Sequence, residues 1–128
     1  MSSLRAWRIA LAGYVAALAV ISGLAYLHGL PAVVLTLPYT DKVLHFVLLG
    51  GAAFLARKAT NDSRAAGLPA GPAIVGLCSV IDECTQAFFP SRTFSLADMA
   101  ANLAGVVVFG WLAGLGKRPS EGGNSREA

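Results

Sequence analysis

Charge is thin in this chain. Asp, Glu, Lys and Arg make up 13 % of its 128 residues, about half the share usual in a soluble domain, while hydrophobic residues make up 55 %. Cysteine is scarce too: Cys78 and Cys84 lie six residues apart, about 240° round a helix axis, and cannot bridge each other without breaking the helix. Packing is their expected role, since no CxxC pattern is present. No serine or cysteine sits in a nucleophile motif. A single imidazole, His45, among the carboxylates is too few for a catalytic zinc. No cofactor and no metal are therefore expected. The net charge of +3 comes from basic segments beside apolar runs, not from an aromatic-studded basic surface, which excludes nucleic acid as a partner. No repeat and no second domain is visible.

What is abundant is apolar length. Trp7 to Leu30 carries no charge beyond Arg8 near its start. At about 1.5 Å per helical residue it crosses about 30 Å of hydrocarbon with some tilt. Two further runs, Val43–Ala56 and Leu68–Ile81, give 14 residues each, too few for an ordinary span. They lengthen only by taking polar neighbours inward, to 40–56 and 68–89, and the last span, 94–115, likewise takes in Asp98 and Asn102. The expected fold is an all-α membrane protein, a bundle of four transmembrane helices over about 7–30, 40–56, 68–89 and 94–115. Residues 1–116 then form one transmembrane domain, followed by a flexible tail over 117–128.

Orientation follows from the basic residues. Of the ten Lys and Arg, all but Lys42 and Arg92 fall on alternate ends of the spans, which places both termini in the cytoplasm. The first span is read as retained, because its apolar run is too long for a signal peptide and no small-x-small cleavage site follows it. The expected location is the inner membrane of the cell, with several passes.

This topology gathers the polar residues of the apolar stretches on one outward side: Asp41, Lys42, His45, Asp82, Glu83, Gln86, Arg92, Asp98 and Asn102. Ionisable groups at membrane depth cost about 2.5–3.5 kcal/mol each on insertion scales, so they persist where they pair or serve a function. Asp41 and His45 are spaced i, i+4, an arrangement in which a carboxylate orients an imidazole. Thr40 or Asp41 after Pro38 equally suits a helix cap. Glu83 and Gln86 share one face, with Asp82 about 100° away. Pro90 stops that helix, Ser95 suits the cap of the next with Asp98 at N3, and Asp98 and Asn102 share its inward face. Arg92 offers a planar fork to a phosphate of a ligand or to Glu83 or Asp98. Gly50, Gly51, Gly105, Gly110 and Gly114 are close-packing positions.

Asp41-Lys42-Val43-Leu44-His45-Phe46, then Asp82-Glu83-Cys84-Thr85-Gln86-Ala87-Phe88, then Arg92 with Asp98, Asn102 and Gly105, resemble the signature of VanZ-like membrane proteins over about residues 38–114. The resemblance implies a small multi-pass helical protein of the cell membrane. The family is named after an accessory factor in resistance to lipoglycopeptide antibiotics such as teicoplanin. One departure stands out: Thr85 occupies the position before Gln86 where many members carry His, which weakens any mechanism needing a second imidazole there.

Three functions fit these residues. The favoured one is non-enzymatic: the outward polar site binds or excludes an amphiphilic envelope lipid or a lipoglycopeptide, with Lys42 and Arg92 holding an anionic headgroup. The alternative is an intramembrane hydrolase or transferase acting on a lipid-linked envelope precursor, with His45 as base oriented by Asp41, Glu83 as acid and Arg92 stabilising phosphate. The third is a polar knot that only locks the helices. The partners expected are membrane lipids, and the sequence sets no oligomeric state.

Overall fold

The computed structural model of the chain describes residues 3–28, 39–90 and 94–115. Arg92, the end of the first predicted span at Gly29–Leu30 and the tail over 117–128 lie outside the described residues. Four helices carry the fold: α1 Ser3–His28, α2 Thr40–Ala59, α3 Ala70–Gln86 and α4 Leu96–Gly114. A pair of two-residue antiparallel strands, β1 Arg64–Ala65 and β2 Leu68–Pro69, joins α2 to α3. Among the described helices, α1 and α4 are long and apolar enough to cross a membrane by themselves.

The distribution of residue types is inverted relative to a soluble protein. The apolar core is mostly alanine, with Ala52, Ala53, Ala56, Ala59 and Ala113 buried, whereas Leu27, Val20 and Leu77 face outward. The bulkiest fully buried side chains among the described residues are Gln86 and Glu83. Water would reject that arrangement, but lipid does not: between membrane helices, packing of small residues and polar contacts replace the hydrophobic drive.

Small residues set the helix approaches. On α4, a Cβ at Gly105 would collide with the Phe46 carbonyl of α2, and a Cβ at Gly71 on α3 would collide with the Ala56 carbonyl. Backbone therefore lies against backbone at both contacts. The expected packing role of the other glycines holds as well, with Gly50 against Phe109, Gly51 against Tyr14, Gly110 against Pro72 and Gly114 against Arg57. Phe46 and Phe109 add an edge-to-face contact at 5.5 Å. α1 is held to α2 by Tyr14, whose hydroxyl donates to Leu48 O at 2.8 Å, and by Arg8, whose Nε donates to Ala59 O at 3.2 Å.

Four local expectations need correction. Neither Thr40 nor Asp41 caps α2: the cap is Tyr39 in a left-handed conformation (φ 63°) with no side-chain hydrogen bond, because the Asp41 carboxylate is drawn to Lys42. The third helix begins at Ala70, not at Leu68, because Leu68–Pro69 pairs with Arg64–Ala65. Ala66 and Gly67 between them both take positive φ, 52° and 80°, as a tight two-residue hairpin turn requires. Helix α3 ends at Gln86 and is carried on to Phe89 by i→i−3 bonds. Finally, Cys78 and Cys84 are exposed, because the inward stripe of α3 is Gly76, Ser79, Glu83 and Gln86 at helical spacing.

Candidate functional site

The polar residues converge at one end of the bundle, where α2 begins, α3 ends and α4 begins. Ser95 caps α4 as its place before Asp98 implied, its hydroxyl accepting from Asp98 N at 3.2 Å. The same residue's backbone N–H donates to Glu83 Oε1 at 2.9 Å, so Ser95 ties α3 to α4. The other oxygen, Glu83 Oε2, is buried and has no hydrogen-bond partner among the described residues. Gln86, also buried, donates from Nε2 to Asp82 Oδ2 at 3.1 Å.

Lys42 clamps two helices. Its Nζ stands 2.6 Å from Asp41 Oδ2 and 2.7 Å from Asp98 Oδ1. The second contact is an ion pair without hydrogen-bond alignment, and it is what Asp98 Oδ1 has in place of a hydrogen bond. One ammonium is thus shared by two carboxylates.

His45 takes its partners from α4. Its Nδ1 lies 2.9 Å from Asn102 Oδ1, which can only accept, so the proton at that contact sits on the ring. The other ring nitrogen, Nε2, lies 3.7 Å from Asp98 Oδ2. The expected Asp41–His45 pairing is corrected: both residues share a face of α2, but the carboxylate goes to Lys42 and the imidazole to Asn102.

Beside this cluster, α1, α2 and α3 enclose a cleft of about 510 Å³. Its walls are apolar, with Val15 and Leu18 from α1, Leu48 and Ala52 from α2, and Ile74 and Val75 from α3. At one end, Asp41, His45, Asp82 and Asn102 line it; at the other it reaches Thr60 and Gly71. A volume of this size lined by apolar walls with a few convergent polar groups has the character of a ligand site. Above the cleft Tyr26 of α1 closes the gap to α3, donating to Asp82 Oδ1 at 2.8 Å and stacking edge-on against Phe89 at 4.8 Å.

Eight of the nine polar residues expected at the site lie in this region, and Arg92 is outside the described residues. The residues that sequence reasoning missed are Tyr26 and Ser95 as a backbone donor. A phenol within an apolar span was the available signal for Tyr26, since its hydroxyl needs a partner there. Among the described residues no group of three His, Cys, Asp and Glu is disposed to hold a metal ion. Glu83 does not line the cleft, which separates it from any substrate there.

The VanZ/LLP1 family model matches residues 6–116. The chain belongs to the VanZ/LLP1 family. No curated protein and no solved structure matches it. In this VanZ/LLP1 chain the three motifs, distant in sequence, form one cluster. Thr85, the departure within the second motif, is exposed and returns its hydroxyl to Ile81 O at 2.7 Å, so that position turns away from His45. Membership and the two long apolar helices are consistent with a membrane protein.

Proposed function

We propose that this VanZ/LLP1 protein is a four-span protein of the inner membrane that holds an amphiphile in the outer leaflet without transforming it. Both termini lie in the cytoplasm in this reading. The observation that carries it is the continuity of the polar cluster with the apolar cleft: a headgroup sits beside Asp41, His45, Asp82 and Asn102 while its chain runs along Leu18, Leu48 and Ile74. The bundle ends support the orientation, because Arg8, Arg57 and Lys58, with Asp62 paired to Arg57, gather at the end opposite Asp41, Asp82, Glu83 and Asp98. Capturing or displacing such an amphiphile would change envelope composition or the access of a lipophilic antibiotic, and resistance of the teicoplanin type is the phenotype the family name suggests.

The catalytic alternative keeps one supporting feature, the His45 imidazole in the cleft lining. The acid assigned to it, Glu83, does not reach the same space, since it is buried, bonded to Ser95 N–H and absent from the cleft lining. The anionic-headgroup role given to Lys42 is weakened as well, since that ammonium is already shared by Asp41 and Asp98.

The test compares His45→Ala and Leu18→Trp with the parent chain for teicoplanin sensitivity and for the amphiphiles extracted with the purified protein. Both variants should accumulate in the membrane yet lose the phenotype and the co-purifying amphiphile. If both variants instead fail to accumulate, the cluster is a structural knot and the reading is wrong. Labelling of Ser63→Cys in intact cells by an impermeant thiol reagent would overturn the orientation.

A further inference from the structure

Helix α1 is held in two different ways along its length. Its inner half is fastened to α2 at three places: Trp7 stacks edge-on against Phe54 at 6.2 Å, Arg8 Nε donates to Ala59 O at 3.2 Å, and the Tyr14 hydroxyl, lodged in the notch at Gly51, donates to Leu48 O at 2.8 Å. Two of those contacts hold backbone carbonyls of α2, which keep their place as long as that helix does. Beyond Tyr14, the next hydrogen bond from α1 to another helix among the described residues is made by Tyr26, and it goes to α3. The residues between, Val15, Leu18, Ile21 and Ser22, wall the cleft. Ala25 is the one buried residue of α1 among the described residues, and it buries only a methyl group.

The fastening at the far end is light. Tyr26 donates to Asp82 Oδ1 at 2.8 Å, and its ring meets Phe89 at 4.8 Å. Asp82 is exposed, so water competes for its carboxylate and the phenol can leave without stranding a buried polar group. At the near end stands Gly13, beside Tyr14, where an added methyl group would meet nothing within 4 Å. Close packing explains Gly50, Gly51, Gly71 and Gly105, but it does not explain Gly13. Ala is the better helix former at such an open position, and Gly leaves the backbone freer to bend there. Gly23 is equally open, but it lies close to Tyr26, where a bend moves little of the wall. From Gly13 to Tyr26 is about 20 Å at 1.5 Å per residue, so a bend of about 20° carries the tip about 7 Å from α3.

We propose that the outer half of α1 is a gate, hinged at Gly13 and latched by the Tyr26 hydroxyl on Asp82, which swings from α3 to let an amphiphile pass sideways between the membrane and the cleft. The inner half stays on α2 while the gate moves. The structure holds the closed form, with Tyr26 across the gap. This rests on the amphiphile reading above and adds to it the way in and the residues that control it.

The experiment uses the full chain with Cys78→Ala and Cys84→Ala in phosphatidylcholine nanodiscs. Spin-label distances are measured between Leu27→Cys and Ile81→Cys at the outer end, and between Ile9→Cys and Trp111→Cys at the inner end, all exposed positions. Tyr26→Ala should add an outer population about 7 Å longer than that of the parent and leave the inner distance unchanged. Tyr26→Phe should add a smaller share of the same population, and it stands in should the alanine variant not fold. Gly13→Ala in the Tyr26→Ala chain should reduce the added population about twofold. Entry is read at Ser79→Cys, a buried position of the cleft wall, with N-hexadecylmaleimide as the probe. Its labelling should be about threefold faster in Tyr26→Ala, in step with the open fraction. Unchanged outer distances in both Tyr26 variants, with Ser79→Cys labelled at the parent rate, sink the gate and leave the amphiphile reading standing. Wider distances with no labelling in any chain leave the motion and sink the amphiphile reading. If the inner distance shifts with the outer one, or if Gly13→Ala changes nothing, the hinge is wrong.

Discussion

Along the seam between α2 and α4, backbone meets backbone, with Gly105 at the Phe46 carbonyl and Gly50 under the Phe109 ring. Between α1 and α3 the same bundle stays open, because Val15, Leu18 and Ile74 stand where the other seam has small residues. The difference shows what each seam is for. The closed seam fixes the distances among Lys42, His45, Asp98 and Asn102, all of which reach across it. The open seam leaves that fixed cluster beside an apolar cleft.

The sharpest way to break the contrast is Gly105→Ala. The added Cβ has no room against the Phe46 carbonyl, so the seam must part. We expect a loss of about 3 kcal/mol, read as a fall in thermal unfolding midpoint in detergent, with reduced membrane accumulation. An unchanged midpoint would mean that the seam has slack. Next comes Lys42→Met, which leaves Asp41 and Asp98 without their shared cation. Because Lys42 is a third exposed, the buried-pair penalty is discounted to about 2 kcal/mol. A Lys42→Met, Asp98→Asn double variant should recover part of it, and strictly additive losses would show that the two do not interact. The smallest effect is expected at the open seam. Tyr26→Phe removes the hydroxyl bond to Asp82 and keeps the ring contact with Phe89, for about 1 kcal/mol, read as a small fall in thermal unfolding midpoint in detergent. An unchanged midpoint would mean that the hydroxyl bond does not help hold α1 to α3.

Helix positions were readable from where charge and proline interrupt the apolar runs. The spans expected at 40–56 and 94–115 became α2 and α4 with shifts of a few residues at the ends. The Ser95 cap and the inward face of Asp98 and Asn102 were also legible, because both are local consequences of helical spacing. Partners across the bundle were not. Spacing along α2 suggests Asp41 for His45, but Gly105 brings α4 so close that Asn102 wins the imidazole, and only the tertiary approach decides that. The two cysteines show a second limit: periodicity says which residues share a face, not which face turns inward, and on α3 the inward face went to Gly76, Ser79, Glu83 and Gln86. The hairpin at 64–69 stayed hidden because Leu68 and Pro69 read as the apolar start of a span.

That hairpin bears on how the chain reaches its place. Helices α2 and α3 are not among those long and apolar enough to cross a membrane alone, and the turn at Ala66–Gly67 separates them by only the residues 60–69. On the proposed topology they leave the ribosome almost together, and the small-residue contact of Gly71 with Ala56 can form while both are still at the translocation channel. The two weakly apolar segments would then pass into lipid as one helical hairpin, with their polar ends turned toward each other rather than toward acyl chains.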